Sequence, residues 1–591
     1  MKQLIRSAAF LLAAAIAFSA CTSVPDHARY IPADALVVIG VNTKQMSREI
    51  AWNAIAGSKI LDELNKDNEK QAAKELDHSG IDWMSTSYAY VKTDPDGKNI
   101  VAAVLPLENK AEWETFIKKQ FAGISFKQAN GRTDARLDLK LYAGWTDRVL
   151  IVMSVIPAYD RQEEDMGSMI AAAKAAGEAN GDTTVITEDF ADSVMTAQSA
   201  KPAVPETSMP VMMDSAFAIT KEHSILQDKR FTKLEKQGHD ITMWVNYEHM
   251  MDRYMGNSMA KTMGLSLSNT LWKGSAMASG IDFRKGKITA DMLYYTSGEL
   301  KEISRELSGE NADRDMIDRL PAQNMNMMMA WHMSPKGTKG TLEKAGFLGF
   351  INMALMSVGL SADDIFDTFT GDMAVSVCNF AAGPQIATAS DSVSQETYTT
   401  HADYVYVMKI AKKENLAKLL GIAVSKEILR PAGNNMYQLA GESANSFVLA
   451  HDDKYLVAAN KAEAALAYLQ GKNKGAKLPE AAQTALYGHP AGGYFDIAAL
   501  TRAMNLPAGT NTSDAALADE AKKLVTDINF YGGDFNGDAF ESHATANFTN
   551  KEENGLLQLL QFAVKAKKLA DEHHSATAAM AAGPADTVSV K

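Results

Sequence analysis

The feature that most constrains the fold is an internal repeat, because four segments recur in one order along the 591-residue chain. "YIPADALVVIGVN" matches "RLPAQNMNMMMAWHM" and aligns Pro32 with Pro321, and "NIVAAVLPLENKAEWETFIKK" matches "DYVYVMKIAKKENLAKLLGI". "GHDITMWVNYEHM" then matches "GHPAGGYFDIAAL" and aligns Gly238 with Gly488, and "SGIDFRKGKITADMLYYTS" matches "YGGDFNGDAFESHATANFT". Since matched segments in one order indicate structural repeats, the sequence predicts a tandem duplication.

Each half is expected to be α+β, with antiparallel sheets packed by helices. In "AFESHATANF" the small and apolar residues alternate with polar ones, which places Glu541, His543, Thr545 and Asn547 on one face of a strand. Alternation with one polar face is typical of an antiparallel sheet that is solvated on one side.

The matched segments also predict how the chain is divided. The expected ranges are a signal peptide (1–20), a lipidated tether (21–30), a larger first-half unit (31–230, with an insertion at 157–214), a smaller one (231–318), a larger second-half unit (319–480), a smaller one (481–572) and a disordered tail (573–591).

The halves differ most in two long segments. The insertion 157–214 is acidic, Ala-rich and then Pro-rich, and we interpret it as lying between two strands of one hairpin, "RVLIVMSV" and "SAFAIT". In the second half, Ala381 to Ala402 reads as a Ser/Thr-rich loop. Long loops on a repeated scaffold often carry specific function, although they can also be tolerated surface elaboration.

The N-terminus predicts export and lipidation. Lys2 and Arg6 precede a short apolar stretch that ends in "FSAC", with Cys21 next to the expected cleavage site. A basic region, a short apolar core and small residues before the cut are typical of a signal peptide. "FSAC" resembles a lipobox, which implies that Cys21 becomes the acylated mature N-terminus; stable anchoring then follows from two or more acyl chains.

With "FSAC", "YIPADALVVIGVN" and the duplicated arrangement together, the chain resembles a family of Bacteroidota envelope lipoproteins that is defined only by a domain of unknown function. The resemblance implies an envelope lipoprotein of a Gram-negative bacterium, and it brings no substrate and no site residues. "TSVPDH", which follows Cys21, lacks an acidic cluster resembling a surface-export signal. We therefore expect the outer membrane, facing the periplasm, with surface exposure as the alternative.

Composition limits the partners. The net charge is −13 and no basic stripe is present, so we do not expect nucleic acid as a partner. The membrane is expected as a partner through the N-terminal lipid. The other cysteine, Cys378, lies in the strand-like run "DMAVSVCNF" and is expected to be a small core residue.

Three patterns could indicate a metal, and each has a structural interpretation that we prefer. "NMNMMMAWHM" suggests Cu(I), but matched aliphatic residues in the first half favour core filling by Met325, Met327, Met329, Trp331 and Met333, with His332 on the opposite face. "DFNGDAFE" has the spacing of a calcium loop, but its Asn-Gly favours a hairpin turn.

The third pattern is the recurring Gly-His. His239 and His489 could be paired metal ligands. We expect instead that each preceding glycine caps a helix and that each histidine hydrogen-bonds to the last carbonyl groups of that helix. We therefore predict no metal and no cofactor.

No motif indicates a particular enzyme. Ser258 and Lys261 form an S-x-x-K without its usual partner motifs, which we interpret as chance. The catalytic residues, if any, are unknown. The sequence favours a non-enzymatic binding or scaffold lipoprotein whose partner is an envelope protein or a glycan. The alternative is an envelope hydrolase with a motif-free carboxylate site.

Overall fold

A computed structural model describes residues 24–49, 78–94, 97–121, 123–138, 140–156, 208–254, 272–344, 347–386, 396–441, 447–503 and 512–581. The chain forms two compact units. The first comprises the described residues within 1–44 and 74–238, and the second those within 45–73 and 239–591.

The first unit contains an antiparallel sheet of seven strands among its described residues, in the order β1-β2-β3-β7-β6-β5-β4. The strands are Val37–Asn42 (β1), Thr86–Thr93 (β2), Asn99–Pro106 (β3), Lys127–Ala129 (β4), Arg132–Arg136 (β5), Leu141–Trp145 (β6) and Val149–Ile156 (β7). The α-helices up to Gly238 are Thr43–Glu49 (α1), Lys110–Gln120 (α2), Ser208–Phe217 (α3) and Lys229–Gln237 (α4), with 3-10 turns at Asp26–Tyr30, Lys221–His223 and Ile225–Gln227.

Helix α2 shows how a helix packs on the sheet of the first unit. Asn109 caps it by accepting hydrogen bonds from the Ala111 and Glu112 backbone N–H groups. Trp113 and Ile117, four residues apart, are buried in one apolar cluster with Trp145. The strand, polar break and amphipathic helix predicted from the repeat are confirmed here and at the second-half equivalent.

The second unit contains a thirteen-strand antiparallel sheet among its described residues, in the order β8-β9-β10-β20-β19-β18-β11-β12-β13-β17-β16-β15-β14. The strands are Ile241–Asn246 (β8), Ala276–Arg284 (β9), Lys287–Tyr295 (β10), Met325–His332 (β11), Phe369–Ile386 (β12), Glu396–Ile410 (β13), Leu429–Gly433 (β14), Met436–Leu439 (β15), Val448–His451 (β16), Tyr455–Ala459 (β17), Ala491–Phe495 (β18), Val525–Phe535 (β19) and Ala539–Phe548 (β20).

Helices pack around this sheet. They are Tyr247–Tyr254 (α5), Gly298–Leu307 (α6), Arg314–Asp318 (α7), Pro335–Lys344 (α8), Leu348–Met356 (α9), Ala362–Phe366 (α10), Lys413–Ser425 (α11), Ala462–Leu469 (α12), Glu480–Leu486 (α13), Ile497–Ala503 (α14), Thr512–Leu524 (α15) and Gly555–Ala581 (α16). The core joins α7, α12 and α13 to the strands, with Met316, Tyr468 and Leu486 fully or almost fully buried. Helix α16 reaches nine residues into 573–591, so that part of the predicted disordered tail is helical.

The α+β class and the antiparallel sheets are confirmed. The strand order β1-β2-β3-β7-β6-β5-β4 of the first unit recurs in the second as β11-β12-β13-β17-β16-β15-β14. The two smaller units predicted at 231–318 and 481–572 also match each other, since β8 pairs with β9 and β9 with β10, as β18 pairs with β19 and β19 with β20.

Two loop predictions are wrong. "SAFAIT" is not a strand: α3 ends at Phe217, and the partner of β7 in its hairpin is β6. The insertion therefore follows that hairpin, and residues from Ser208 belong to a helix with Met209 and Met213 buried. The segment from Ala381 is also not a loop throughout, since β12 and β13 continue pairing as far as Ile386 and Glu396.

The substitution Gly492→Ala tests how closely α13 packs on β18. A Cβ atom at Gly492 would lie 1.8 Å from the Ala485 carbonyl oxygen of α13, so backbone would have to move. We expect Gly492→Ala to lower the free energy of unfolding by about 1–3 kcal/mol, measured by denaturant titration. Gly421→Ala is the control, because a Cβ atom at Gly421 would meet no heavy atom within 4 Å and alanine favours helix. An equal loss in both variants would contradict this account.

Candidate functional site

A band of ionisable and aromatic side chains crosses one face of the sheet in the second unit. Gly280 of β9 pairs with Asp291 of β10, Asp291 with His543 of β20, and His543 with Tyr531 of β19. Directly opposite residues on paired strands point to the same face, so these positions form one row. We call this row, with the two His–Asp pairs at its ends, the His–Asp band. His543 was placed on the polar face by alternation, and its cross-strand contact with Asp291 agrees with that.

One end of the band is the pair His239–Asp282. Gly238 ends α4 in the left-handed conformation (φ 74°, ψ 35°), which confirms the predicted helix cap. The prediction for His239 is wrong, because its Nδ1 lies 3.0 Å from Asp282 Oδ2 instead of on the helix carbonyl groups. Gly280 makes this possible: a Cβ there would lie 2.1 Å from the imidazole ring.

The other end is the pair His489–Asp534, at the repeat-matched positions. His489 Nδ1 lies 3.3 Å from Asp534 Oδ2, so the prediction that it contacts the helix carbonyl groups is wrong here too. Gly488 has a positive φ of 83°, but the cap residue of α13 is Tyr487, so the prediction that Gly488 caps the helix is also wrong. The His489 ring stacks on Tyr531 with 4.1 Å between ring centroids, and Tyr531 lies 4.9 Å from the His543 ring. Both recurring histidines therefore bind an aspartate of the following hairpin.

The His239 end of the band is the more buried of the two ends and holds more carboxylate groups. Asp282 is 7% exposed and Asp240 is fully buried. Burial raises the pKa of Asp240 although one of its oxygens accepts a hydrogen bond from the Phe283 backbone N–H, and its Oδ1 has no hydrogen-bond partner among the described residues. The hydrogen bond to Asp282 raises the pKa of His239, against the effect of burial.

His239, Asp282 and Asp291 converge. One ligand atom from each lies within 4.8 Å of the others. Sequence reasoning missed this cluster, because it depends on strand register and on the missing side chain at Gly280. The detectable signal was the joint recurrence of Gly-His before a strand and Asp-Phe after it.

A second buried His–Asp pair joins β11 to β12. His332 Nδ1 lies 3.1 Å from Asp372 Oδ1, and both side chains are under 10% exposed. Asp372 also accepts hydrogen bonds from the Asp313 backbone N–H and the Thr370 hydroxyl. The hydrogen bond raises the pKa of His332; burial alone would raise the pKa of Asp372, but its hydrogen bonds and nearby charges lower it.

The methionine strand is only partly core. Met325 and Met328 are buried, while Met327, Met329 and Trp331 are half-buried and Met333 is exposed, so the prediction that the alternate residues from Met325 share the core is wrong. The reason is a register shift between Met325 and Met327, which changes the face of the residues that follow.

Each unit contains a mainly apolar cavity among its described residues. The cavity of the first unit measures about 480 Å³ and lies between α3 and the sheet, with lining residues that include Tyr90, Lys92, Ile100, Met153 and Met212. The cavity of the second unit measures about 410 Å³ and is lined by Met329, Trp331, His332, Pro490 and Phe530, among others.

The remaining sequence candidates lie in the core, in a turn or outside the described residues. Cys378 is 3% exposed and free, which confirms a core role. Asn536 and Gly537 lie in the turn between β19 and β20, as predicted. Cys21, Ser258 and Lys261 lie outside the described residues.

No helix in the described part of the chain is long and apolar enough to span a bilayer.

Comparison with known proteins identifies no relative from which a function could be inferred. No protein-family model matches the chain, and no curated protein matches it. Two solved structures, crystal forms IV and I of TP0453, are 11% identical to it; they cover 46% and 47% of this chain and 81% and 80% of their own. Their TM-scores of 0.21 and 0.19 are too low to support an argument about fold or function.

The His332–Asp372 pair predicts a pH-dependent stability. A histidine whose pKa is raised by folding stabilises the protein fully below its unfolded pKa of about 6.5, and this contribution is lost as pH rises through the folded pKa. We expect His332→Gln to be destabilised relative to wild type at pH 5.5 and less so at pH 9. The difference should change by about 1.4 kcal/mol for each unit by which folding raises the pKa.

Chemical denaturation at the two pH values measures this difference. The control is His223→Gln, since His223 lies exposed in a 3-10 turn. A stability difference between His332→Gln and wild type that stays constant from pH 5.5 to pH 9 would show that the pair does not titrate as described.

Proposed function

We propose that this protein is a lipid-anchored component of a bacterial cell envelope that binds a partner and is not an enzyme. The supporting sequence feature is "FSAC", with Cys21 as the acylated residue, and the resemblance to Bacteroidota envelope lipoproteins agrees with it. We place the protein on the outer membrane facing the periplasm, with an envelope protein or a glycan as partner.

The apolar lining of the described cavities supports the proposal that the protein binds a partner and does not catalyse a reaction. Both are lined mainly by aliphatic, aromatic and methionine side chains, as is typical of binding pockets. A hydrolase of the carboxylate type needs an accessible acid whose pKa is raised. Asp240 has a raised pKa, but it is fully buried and cannot reach a substrate.

We further propose that the two halves arose by tandem duplication. Three observations support it: the matched segments, the repeated strand order, and the left-handed Gly238 and Gly488 before the His–Asp pairs. An experimental structure tests it. If Pro32 and Pro321, or Gly238 and Gly488, fail to coincide after the halves are superposed, the duplication is wrong.

Replacing the expected lipidated residue tests the anchor. We expect Cys21→Ser to move the protein from the membrane fraction to the soluble fraction, because it removes the acylation site. Cys378→Ala is the matched control, because Cys378 is buried and its loss should leave fractionation unchanged. A Cys21→Ser protein that still sediments with membranes would refute the anchor, and removal of the wild-type protein by protease on intact cells would place it on the surface.

The insertion is the proposed place of partner specificity. The structure limits the deletion, since Met209 and Met213 are buried and Asp214 pairs with Arg132. We therefore expect replacement of residues 158–206 by a short Gly/Ser link to preserve folding, because closure entropy changes slowly with loop length, and to abolish capture of the native partner.

Thermal unfolding measures the first outcome, and cross-linking in the native host with identification of the captured partner measures the second. The wild-type chain treated in parallel is the reference. A deletion variant that folds and cross-links to the same partners as wild type would show that specificity lies outside the insertion.

A further inference from the structure

We propose that His239, Asp282 and Asp291 bind a divalent transition-metal ion of the Zn²⁺ type at the buried end of the His–Asp band. This site is independent of the envelope role proposed above. It rests on convergence of three ligand-bearing side chains from three segments: the turn after α4, strand β9 and strand β10.

The spacing of the ligand atoms suits a single ion. Zn²⁺ binds imidazole nitrogen and carboxylate oxygen at about 2.0–2.2 Å, which puts neighbouring ligand atoms roughly 3.5 Å apart. The three atoms lie within 4.8 Å of one another, and His239 Nδ1 and Asp282 Oδ2 are already 3.0 Å apart. Asp291 is half exposed, so rotation of its carboxylate can close the remaining gap.

The ligand set indicates the class of metal. One imidazole favours a transition metal over Mg²⁺ or Ca²⁺, which prefer oxygen alone. Three protein ligands leave a fourth position of a tetrahedral Zn²⁺ ion for water or a partner group.

The surroundings supply the orientation and the charge that such a site needs. The Asp240 backbone N–H lies 3.3 Å from Asp282 Oδ1 and donates to it, leaving Oδ2 toward His239. The buried Asp240 carboxylate adds a third acidic group, and its Oδ1 lacks a hydrogen-bond partner among the described residues. A cation nearby would offset the cost of burying that group.

Two basic side chains contact these carboxylates and would compete with the metal. Arg284 lies 3.5 Å from Asp282 Oδ2, but its side chain is 43% exposed and can turn towards solvent. His543 contacts Asp291 through Nδ1, and it can keep a hydrogen bond to one carboxylate oxygen of Asp291 while the other oxygen binds the ion.

The repeat offers a matched control. At the equivalent end of the band, His489 and Asp534 form the same kind of pair, and the aligned repeat segments place His543 at the position of Asp291. Glu541 lies opposite Asp534 on the paired strand, but the described residues at that end hold no group of three ligand atoms within 4.8 Å of one another, so we expect it to bind Zn²⁺ far more weakly.

The test is Zn²⁺ titration of the full chain, purified in detergent and stripped with a chelator, by isothermal calorimetry. Wild type should bind one tight equivalent that Asp291→Asn and His239→Gln each weaken at least tenfold. Asp534→Asn and His543→Gln should keep it. Thermal unfolding without metal shows that each variant is folded, and the half-exposed Asp291 makes Asp291→Asn the safer of the two.

Three results would overturn the site. The first is that Asp291→Asn and His239→Gln both bind Zn²⁺ with wild-type affinity. The second is that Asp534→Asn loses as much Zn²⁺ affinity as Asp291→Asn does. The third is that His543→Gln loses as much Zn²⁺ affinity as Asp291→Asn does. None of them bears on membrane anchoring, so failure here leaves the Cys21→Ser result to be judged separately.

Discussion

The pairing of β10 with β20 is the contact on which the second unit depends. Nine residue pairs, from Lys287–Asn547 to Tyr295–Ala539, join the 239–318 segment to the sheet of the second half. A slip of one residue would turn every side chain of β20 to the other face. His543 would leave Asp291 and Tyr531, and the buried Phe548 would turn away from the core. The register of this pair therefore fixes both the packing and the His–Asp band.

The sequence was most informative where one local rule decides the structure. Alternation placed His543 on the polar face, Asn536-Gly537 predicted a hairpin turn, and Gly238 predicted a left-handed helix cap. Each of these depends on a few adjacent residues. The matched segments also predicted the same kinds of element in the same sequence along both halves, whereas the order of the strands in the sheets came from the structure.

The errors came from features that are not local. The register shift after Met325 reverses which methionines are buried, and a single sequence gives no signal for it. "SAFAIT" alternates like a strand, yet Met209 and Met213 anchor it as the end of a helix. The contact of His239 with Asp282 depends on the absence of a side chain at Gly280, which lies more than 40 residues after His239 in the sequence. The candidate metal site therefore could not be predicted from spacing along the chain.

Strands β4 and β14, each the last strand in the order given for its unit, bear on self-association. Strand β4 has three residues and begins with an exposed lysine, Lys127. Strand β14 contains Pro431, has a register shift beside it, and is exposed over its last four residues. A short strand, a lysine and a proline each hinder a further strand from pairing with exposed backbone groups. A second copy of the chain therefore finds no ready template at β4 or β14, so that copies of the chain at high local concentration can stay separate instead of joining into continuous sheets.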